Sequence, residues 1–258
     1  MNQKKLLVER IDNHTVLTLN RAEKRNALDD ELISDLEDFF SQPAEDCQCI
    51  IIQGAGEHFS AGLDLFELME KRSADPIVSM RRSKQWHRVF DLIQYGEVPV
   101  ISVLKGGVIG GGFELAAATH IRVSEASTYF QLPEGQRGIF VGGGGSVRIP
   151  RIIGAGRVME LMLTGRKIPV DESANLGLSH YVVENGQGLD KALALAGIVS
   201  QNAPTSNYAI IHGISRIGEM SSADGLFAET MVTSMTRNAG KSDKRIKDFF
   251  QQRKTQHN

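Results

Sequence analysis

Two acidic residues and two glycine-bordered turns carry the chemistry that this sequence could perform. Phe59-Ser60-Ala61-Gly62-Leu63-Asp64 and Ile109-Gly110-Gly111-Gly112-Phe113-Glu114 each follow an apolar, strand-like run and open a helix-like one. The first N–H groups of a helix have no partner inside it and sit at the positive end of its dipole, while glycine removes the side chain that would hold a ligand away. One amide from each turn would make an oxyanion hole. Glu114 stands three residues beyond Gly111, and Glu134 lies twenty residues further on, in Gln131-Leu132-Pro133-Glu134-Gly135. Two close carboxylates separate in pKa because both cannot ionise cheaply, which leaves one as base and the other as acid. The set suits enolate chemistry flanked by two acids. Taken singly, each has a plainer reading: Glu114 as a dipole-favoured helix residue facing water, Glu134 as a surface-turn residue after a proline.

The elements that must position these groups alternate between strand and helix. Leu6 to Arg10 and Thr15 to Asn20, joined by Asp12-Asn13-His14, predict a β-hairpin. Asp29 is a candidate N-cap, and Leu32, Ile33, Leu36, Phe39 and Phe40 follow at helical spacing with Asp35, Glu37 and Asp38 on the other face. Cys49 to Gln53 reads as a buried strand, followed by the first turn and a helix from about Leu63 to Lys71. Val98 to Leu104 leads to the second turn, the helix Phe113 to Thr119 and the strand Ile121 to Ser124. Such alternation predicts an α/β fold with crossover connections. From about residue 190 only helical patterns remain: Leu189 to Gln201, Thr205 to Met220, Ala223 to Asn238 and Lys241 to Lys254. The expected division is therefore a core over 1–190 and a helical segment over 191–258.

Asn20-Arg21-Ala22-Glu23-Lys24-Arg25-Asn26-Ala27-Leu28, His58 to Asp64, the Gly-Gly-Gly-Phe-Glu run, Leu132-Pro133-Glu134, Leu163-Thr164-Gly165-Arg166 and Leu176-Gly177-Leu178 occur in this order along the chain. Together they resemble the crotonases, the enoyl-CoA hydratases and isomerases. The resemblance implies a ClpP-like spiral of ββα repeats with a C-terminal helical segment that covers the site and builds trimers, commonly paired into hexamers. It implies that the amides of Leu63 and Gly111 bind the thioester oxygen. Because Gly111 would act through its backbone, Gly111→Ala is expected to be far milder than Gly111→Pro, which deletes the N–H. Glu114 would deprotonate the attacking water and Glu134 would deliver a proton toward the α-carbon. Coenzyme A, part of the substrate and not a separate cofactor, is expected against Lys24, Arg25, Ala27, Ser60, Ala61, Asp64 and Leu65, with Arg21 nearby.

Phe66 stands where many hydratases carry lysine, and the C-terminal bases Lys241, Lys244, Arg245, Lys247, Arg253 and Lys254 are candidates to replace that contact. Trp86, Phe90 and Phe140 are candidates for the acyl pocket. Residues 133–148, with Gly142 to Gly145 read as a turn that exposes backbone and orders the acid and the water, look most like the bacterial methylthioacryloyl-CoA and acryloyl-CoA hydratases. A general enoyl-CoA hydratase, a double-bond isomerase and a thioester hydrolase would use the same oxyanion hole.

Composition narrows the alternatives. Of 258 residues 41% are hydrophobic and 23% charged, enough for a full core. A net charge of −2 gives no general grip on nucleic acid, and Asp29, Asp30, Glu31, Asp35, Glu37 and Asp38 would repel phosphates from the first helix. This argues against the RNA-binding mode known for some crotonase-fold proteins. Cys47 and Cys49 read as buried thiols on one strand. The seven histidines lack His-x-x-x-His or His-x-His grouping, so no metal is expected. Neither a phosphate-binding G-x-x-x-x-G-K-S/T loop nor a G-x-S-x-G elbow occurs. No apolar run approaches the roughly 18 residues of a membrane helix, and a cytoplasmic protein is expected.

Overall fold

The computed structural model describes residues 4–237. In chain order, strands β1 (Leu6–Ile11) and β2 (His14–Leu19) are followed by α1 (Asp30–Ser41), β3 (Cys49–Gly54), α2 (Leu65–Glu70) and α3 (Pro76–Gln94). Next come β4 (Val100–Leu104), β5 (Gly107–Ile109), α4 (Gly111–Ala118), β6 (Ile121–Glu125) and β7 (Tyr129–Gln131). The chain continues through α5 (Gly145–Ile153), α6 (Ala155–Thr164), β8 (Lys167–Pro169), α7 (Val170–Asn175), β9 (Tyr181–Val183) and α8 (Gly188–Ser200). It ends with α9 (Pro204–Ala209), a π turn over Ile210–Ile214, α10 (Ser215–Ile217) and α11 (Ser222–Arg237).

Two sheets result. The larger runs β1-β2-β3-β4-β6-β9 and is parallel from β2 onward; the smaller runs β5-β7-β8. Strand β3 shows why the large sheet lies inside the molecule: Cys49-Ile50-Ile51-Ile52 is buried on both faces, as a parallel strand covered on both sides must be. Cys49 and Ile51 pack with Val16, Ile101, Val123 and the α8 residues Ala192, Leu195 and Ala196. Ile50 and Ile52 point the other way, into the core shared with Leu32, Leu36, Trp86, Phe90 and Phe113. Helix α8 thus crosses the expected boundary at residue 190 and covers one face of the sheet.

The hairpin and first helix lie where the pattern predicts them, and Asp29 caps α1 by accepting the Leu32 N–H at 2.9 Å. Other boundaries move for local reasons. Helix α2 starts at Leu65, not Leu63, because Asp64 is its cap and accepts the N–H groups of Phe66 and Glu67. Helix α4 starts two residues early, at Gly111, because Gly110 at φ +52° makes the turn. The span Thr205 to Met220 is broken into α9, the π turn and α10. Cys47 precedes β3 and is not on the strand with Cys49, although both are buried free thiols. Burial, with Cys47 adjacent, pushes the Cys49 thiol up to about 12, an inert state. Asn238, the Lys241 to Lys254 helix and the six C-terminal bases lie outside the described residues.

Candidate active site

The first glycine turn is stitched into the second. Ser60 donates its N–H to Gly107 O and accepts the Ile109 N–H, so the chain after β3 runs beside β5. Leu28 and Leu63 form a second bridge, through Leu28 N to Gly62 O at 2.7 Å and Asp64 N to Leu28 O at 2.9 Å. Asn26, fully buried, ties the preceding loop down by donating its side-chain amide to Ala55 O and His58 O, each at 2.8 Å. These contacts press Gly62 against Gly111: a Cβ on Gly62 would lie 2.8 Å from Gly111 N, and one on Gly111 would lie 3.4 Å from Leu63 N. The amides of Leu63 and Gly111 are therefore neighbours. No acceptor among the described residues takes either N–H. Both remain available to a ligand oxygen, with the dipole of α4 behind Gly111.

Glu114, on the first turn of α4, is 2% exposed rather than turned to water. Its Oε1 accepts the N–H of Gly143 at 2.8 Å and of Gly145 at 2.7 Å. The glycine run is thus a backbone-exposing turn, and the acid it orders is Glu114. Gly145 must lack a side chain, since a Cβ there would stand 2.7 Å from Glu114 Cγ.

Glu134 reaches the same place from the small sheet. Gly110 donates its N–H to Gln131 O at 2.9 Å, and the buried Leu132 and Pro133 carry the chain inward. A Cβ on Gly110 would lie 2.5 Å from Glu134 Oε1, so this carboxyl rests on the turn that precedes the oxyanion amide. Glu134 is 6% exposed, and its Oε2 is buried with no hydrogen-bond partner among the described residues.

The two acids differ electrostatically. Burial pushes Glu134 up to about 7, and the charge on Glu114 adds to the shift. Burial also raises Glu114, but the Gly145, Gly143 and Gly142 amides and the nearby Arg148 guanidinium favour its anion. The geometry thus gives Glu114 donors that favour its anion and leaves Glu134 Oε2 without any, an asymmetry that can divide the pair into base and acid.

The expected CoA contacts divide into free and occupied groups. Lys24 and Arg25 are exposed, and Lys24 Nζ sits 4.8 Å from the centre of the exposed Phe66 ring. Ser60 is buried with Oγ donating to Asn26 O at 2.8 Å, and Asp64 caps α2 while pairing with Arg21 at 2.9 Å. Burial opposes ionisation of Asp64, but Arg21 and the capping amides hold its carboxyl below the usual range. Arg21 is committed to Asp64 and Asp29 and is not a free phosphate contact. Ala27 is buried, Leu65 is half-buried, and Ala61 donates its N–H to Arg25 O at 2.8 Å. Ser60 and Asp64 thus shape the wall but offer no unoccupied side-chain group.

Trp86 and Phe90 lie at the site and Phe140 does not face inward: it is 68% exposed. The Trp86 ring fills the space beside Gly111, where a Cβ would stand 2.6 Å from Cζ3. An alanine at 111 would therefore press on the indole, as a proline would too, so Gly111→Ala carries a steric cost of its own. The structural roles of Asn26 and Arg148, which sequence reasoning placed only within motifs, escaped it, as did helix α3. Asp75-Pro76 followed by Trp86, Val89, Phe90 and Ile93 at helical spacing is the signal that could have located α3.

Among the described residues no group of three or more His, Cys, Asp or Glu side chains could hold a metal ion, and no helix is long and apolar enough to cross a membrane.

The profile of the enoyl-CoA hydratase/isomerase family matches residues 10–258. An enoyl-CoA hydratase of Mycobacterium tuberculosis, EchA19, is 34% identical over 213 residues, covering 81% of this chain and 79% of its own. A short-chain-enoyl-CoA hydratase of Clostridium acetobutylicum is 30% identical, covering 80% and 79% of the two chains. A crystal structure from Rhodopseudomonas palustris, whose own assignment as an enoyl-CoA hydratase is provisional, superposes with a TM-score of 0.93 at 46% identity, over 98% of this chain and 96% of that one. These matches bear out the expected crotonase fold, and the protein belongs to the enoyl-CoA hydratase/isomerase family of enzymes.

Proposed function

We propose that this protein adds water across the double bond of a short α,β-unsaturated acyl-CoA, with methylthioacryloyl-CoA or acryloyl-CoA as its favoured substrates. The observation that carries the reading is the asymmetric acid pair beside two unpaired amides. In this mechanism the N–H groups of Leu63 and Gly111 hold the thioester oxygen and stabilise the charge that develops on it as the enolate forms. Glu114, held as an anion by the glycine turn, takes the proton of the water that attacks the β-carbon. Glu134, raised to about 7 and without a partner for Oε2, gives its proton to the α-carbon. Retention of both acids favours hydration over isomerisation, which needs no water.

CoA lies along Lys24, Arg25, Ala27, Ser60, Ala61, Asp64 and Leu65 in this reading, with Lys24 and Arg25 supplying charge for its phosphates. The enzyme works in the cytoplasm as a trimer or a dimer of trimers. Crotonyl-CoA is the substrate of the second reading, a general short-chain enoyl-CoA hydratase, which the name of the Clostridium relative favours. A panel of crotonyl-, acryloyl- and methylthioacryloyl-CoA tests both readings, with loss of conjugation and release of free thiol followed separately. Hydration of all three with preference for the three-carbon chains is expected. Preference for crotonyl-CoA selects the second reading, and thiol release without hydration overturns both.

A further inference from the structure

Arg148 is an expensive residue to bury, and the fold spends three contacts on it. It lies on the first turn of α5 and is 8% exposed. Taking a guanidinium out of water costs several kcal/mol unless its donors are satisfied. Its Nε donates to Gln94 Oε1 at 2.6 Å, Nη2 to Asp91 Oδ1 at 2.5 Å, and Nη1 to Gly143 O at 2.9 Å. Gln94 and Asp91 lie on α3, so the long helix anchors the arginine. The third contact falls on the turn that serves Glu114: the carbonyl of Gly143 is held by Arg148 while the N–H groups of Gly143 and Gly145 hold Glu114 Oε1. Gly144, at φ +95°, lies between them, and a Cβ there would overlap the guanidinium.

We propose that Arg148 is a positioning residue for the water-activating carboxylate, acting on Glu114 through the Gly143–Gly145 turn and through its own charge. This rests on the hydratase reading of Glu114. An arginine anchored on α3 fixes the peptide planes of the turn, so the two amides stay aimed at one oxygen. Its positive charge also stabilises the Glu114 anion in a region with little water. The groups facing this carboxylate are Arg148 from α5 and Glu134 from the segment after β7; Asp91 of α3 and Tyr95, the residue that follows α3, act on Arg148. Lysine would keep the charge but lose the fork that joins Gly143 O to two α3 side chains.

The test measures the pH dependence of kcat/KM together with the titration of the Glu114 carboxyl by 13C NMR, the resonance being assigned with Glu114→Gln. Arg148→Met is expected to move the acid limb and the Glu114 titration upward by about one unit, with a tenfold or greater loss of kcat at neutral pH and little change in KM. Arg148→Lys should recover part of the shift but not all of the rate. Asp91→Asn keeps the acceptor oxygen and removes the charge that opposes Arg148, so both readouts should move slightly the other way. Asp91 is 59% exposed, which keeps this variant foldable if Arg148→Met is not. A lower melting temperature with an unmoved Glu114 titration in Arg148→Met, or an upward or absent shift in Asp91→Asn, overturns the proposal. Failure of the wild-type protein to hydrate any enoyl-CoA overturns the hydratase reading instead, since the NMR titration needs no turnover.

Discussion

Glu114 and Glu134 are both buried, and their different surroundings dictate different consequences of removing them. Each change, Glu114→Gln or Glu134→Gln, is expected to lower hydration by at least about 10²-fold with the fold and CoA affinity near normal. The double variant should lose less than the product of the single losses, because both act on one transition state. Near-normal turnover in either folded variant would sink the two-acid mechanism. Glu134 carries a second expectation, for stability. Its ordinary value is 4.5 and its folded value about 7, so between those pH values the native state holds a proton that the unfolded chain has released. The contribution is full below 4.5, declines as pH rises through the window and is gone above about 7. The shift corresponds to roughly 3 kcal/mol at most. Glu134→Gln cannot titrate, so its stability relative to wild type should rise from pH 5 to pH 8 in urea denaturation. An unchanged difference across that range would contradict the raised value.

At the scale of elements, the sequence revealed the strands and turns that carry local punctuation and hid those defined by distant partners. The first helix was legible because Asp29 and a run of apolar residues at helical spacing mark it, and the site turns because glycine marks them. The short strands β5, β7 and β8, three residues each, have no period to read; they exist because the small sheet pairs them. The role of Arg148 was invisible for the same reason, since its partners Asp91 and Gln94 lie more than fifty residues away on α3. The glycine turn offers a prediction at this scale. Gly145 has an ordinary backbone conformation, so alanine there costs no backbone strain, yet its Cβ would stand 2.8 Å from Glu114 Oε1 and displace it. Gly145→Ala should therefore lower kcat by about 10²-fold, as small misplacements of a reacting group do, with KM little altered. Ser146→Ala, at an exposed neighbour, should be neutral. Equal kcat in Gly145→Ala and wild type would show that Glu114 does not depend on this turn.

Among the described residues of the whole molecule, the last helix, α11, carries exposed apolar side chains. Phe227, Met231 and Met235 of α11 are 69%, 53% and 70% exposed and recur every four residues, so they form one stripe along the helix. Ile210 and Ile214, in and at the end of the π turn, are also exposed, by 57% and 71%. A contiguous apolar stripe of this kind is unusual on a monomer and marks an interaction surface. Together with the family resemblance it motivates the expectation of a homotrimer or a dimer of trimers. Light scattering at micromolar concentration should give three or six times the 28.3 kDa of one chain. Phe227→Glu with Met231→Glu introduces two charges on the stripe without touching the described core, so it should lower the mass toward that of one chain while the monomer keeps its helical signal. Charges are costly to bury at an interface and harmless on a free surface. A wild-type mass of one chain, or a full-size assembly that survives the double substitution, would remove the stripe as the contact.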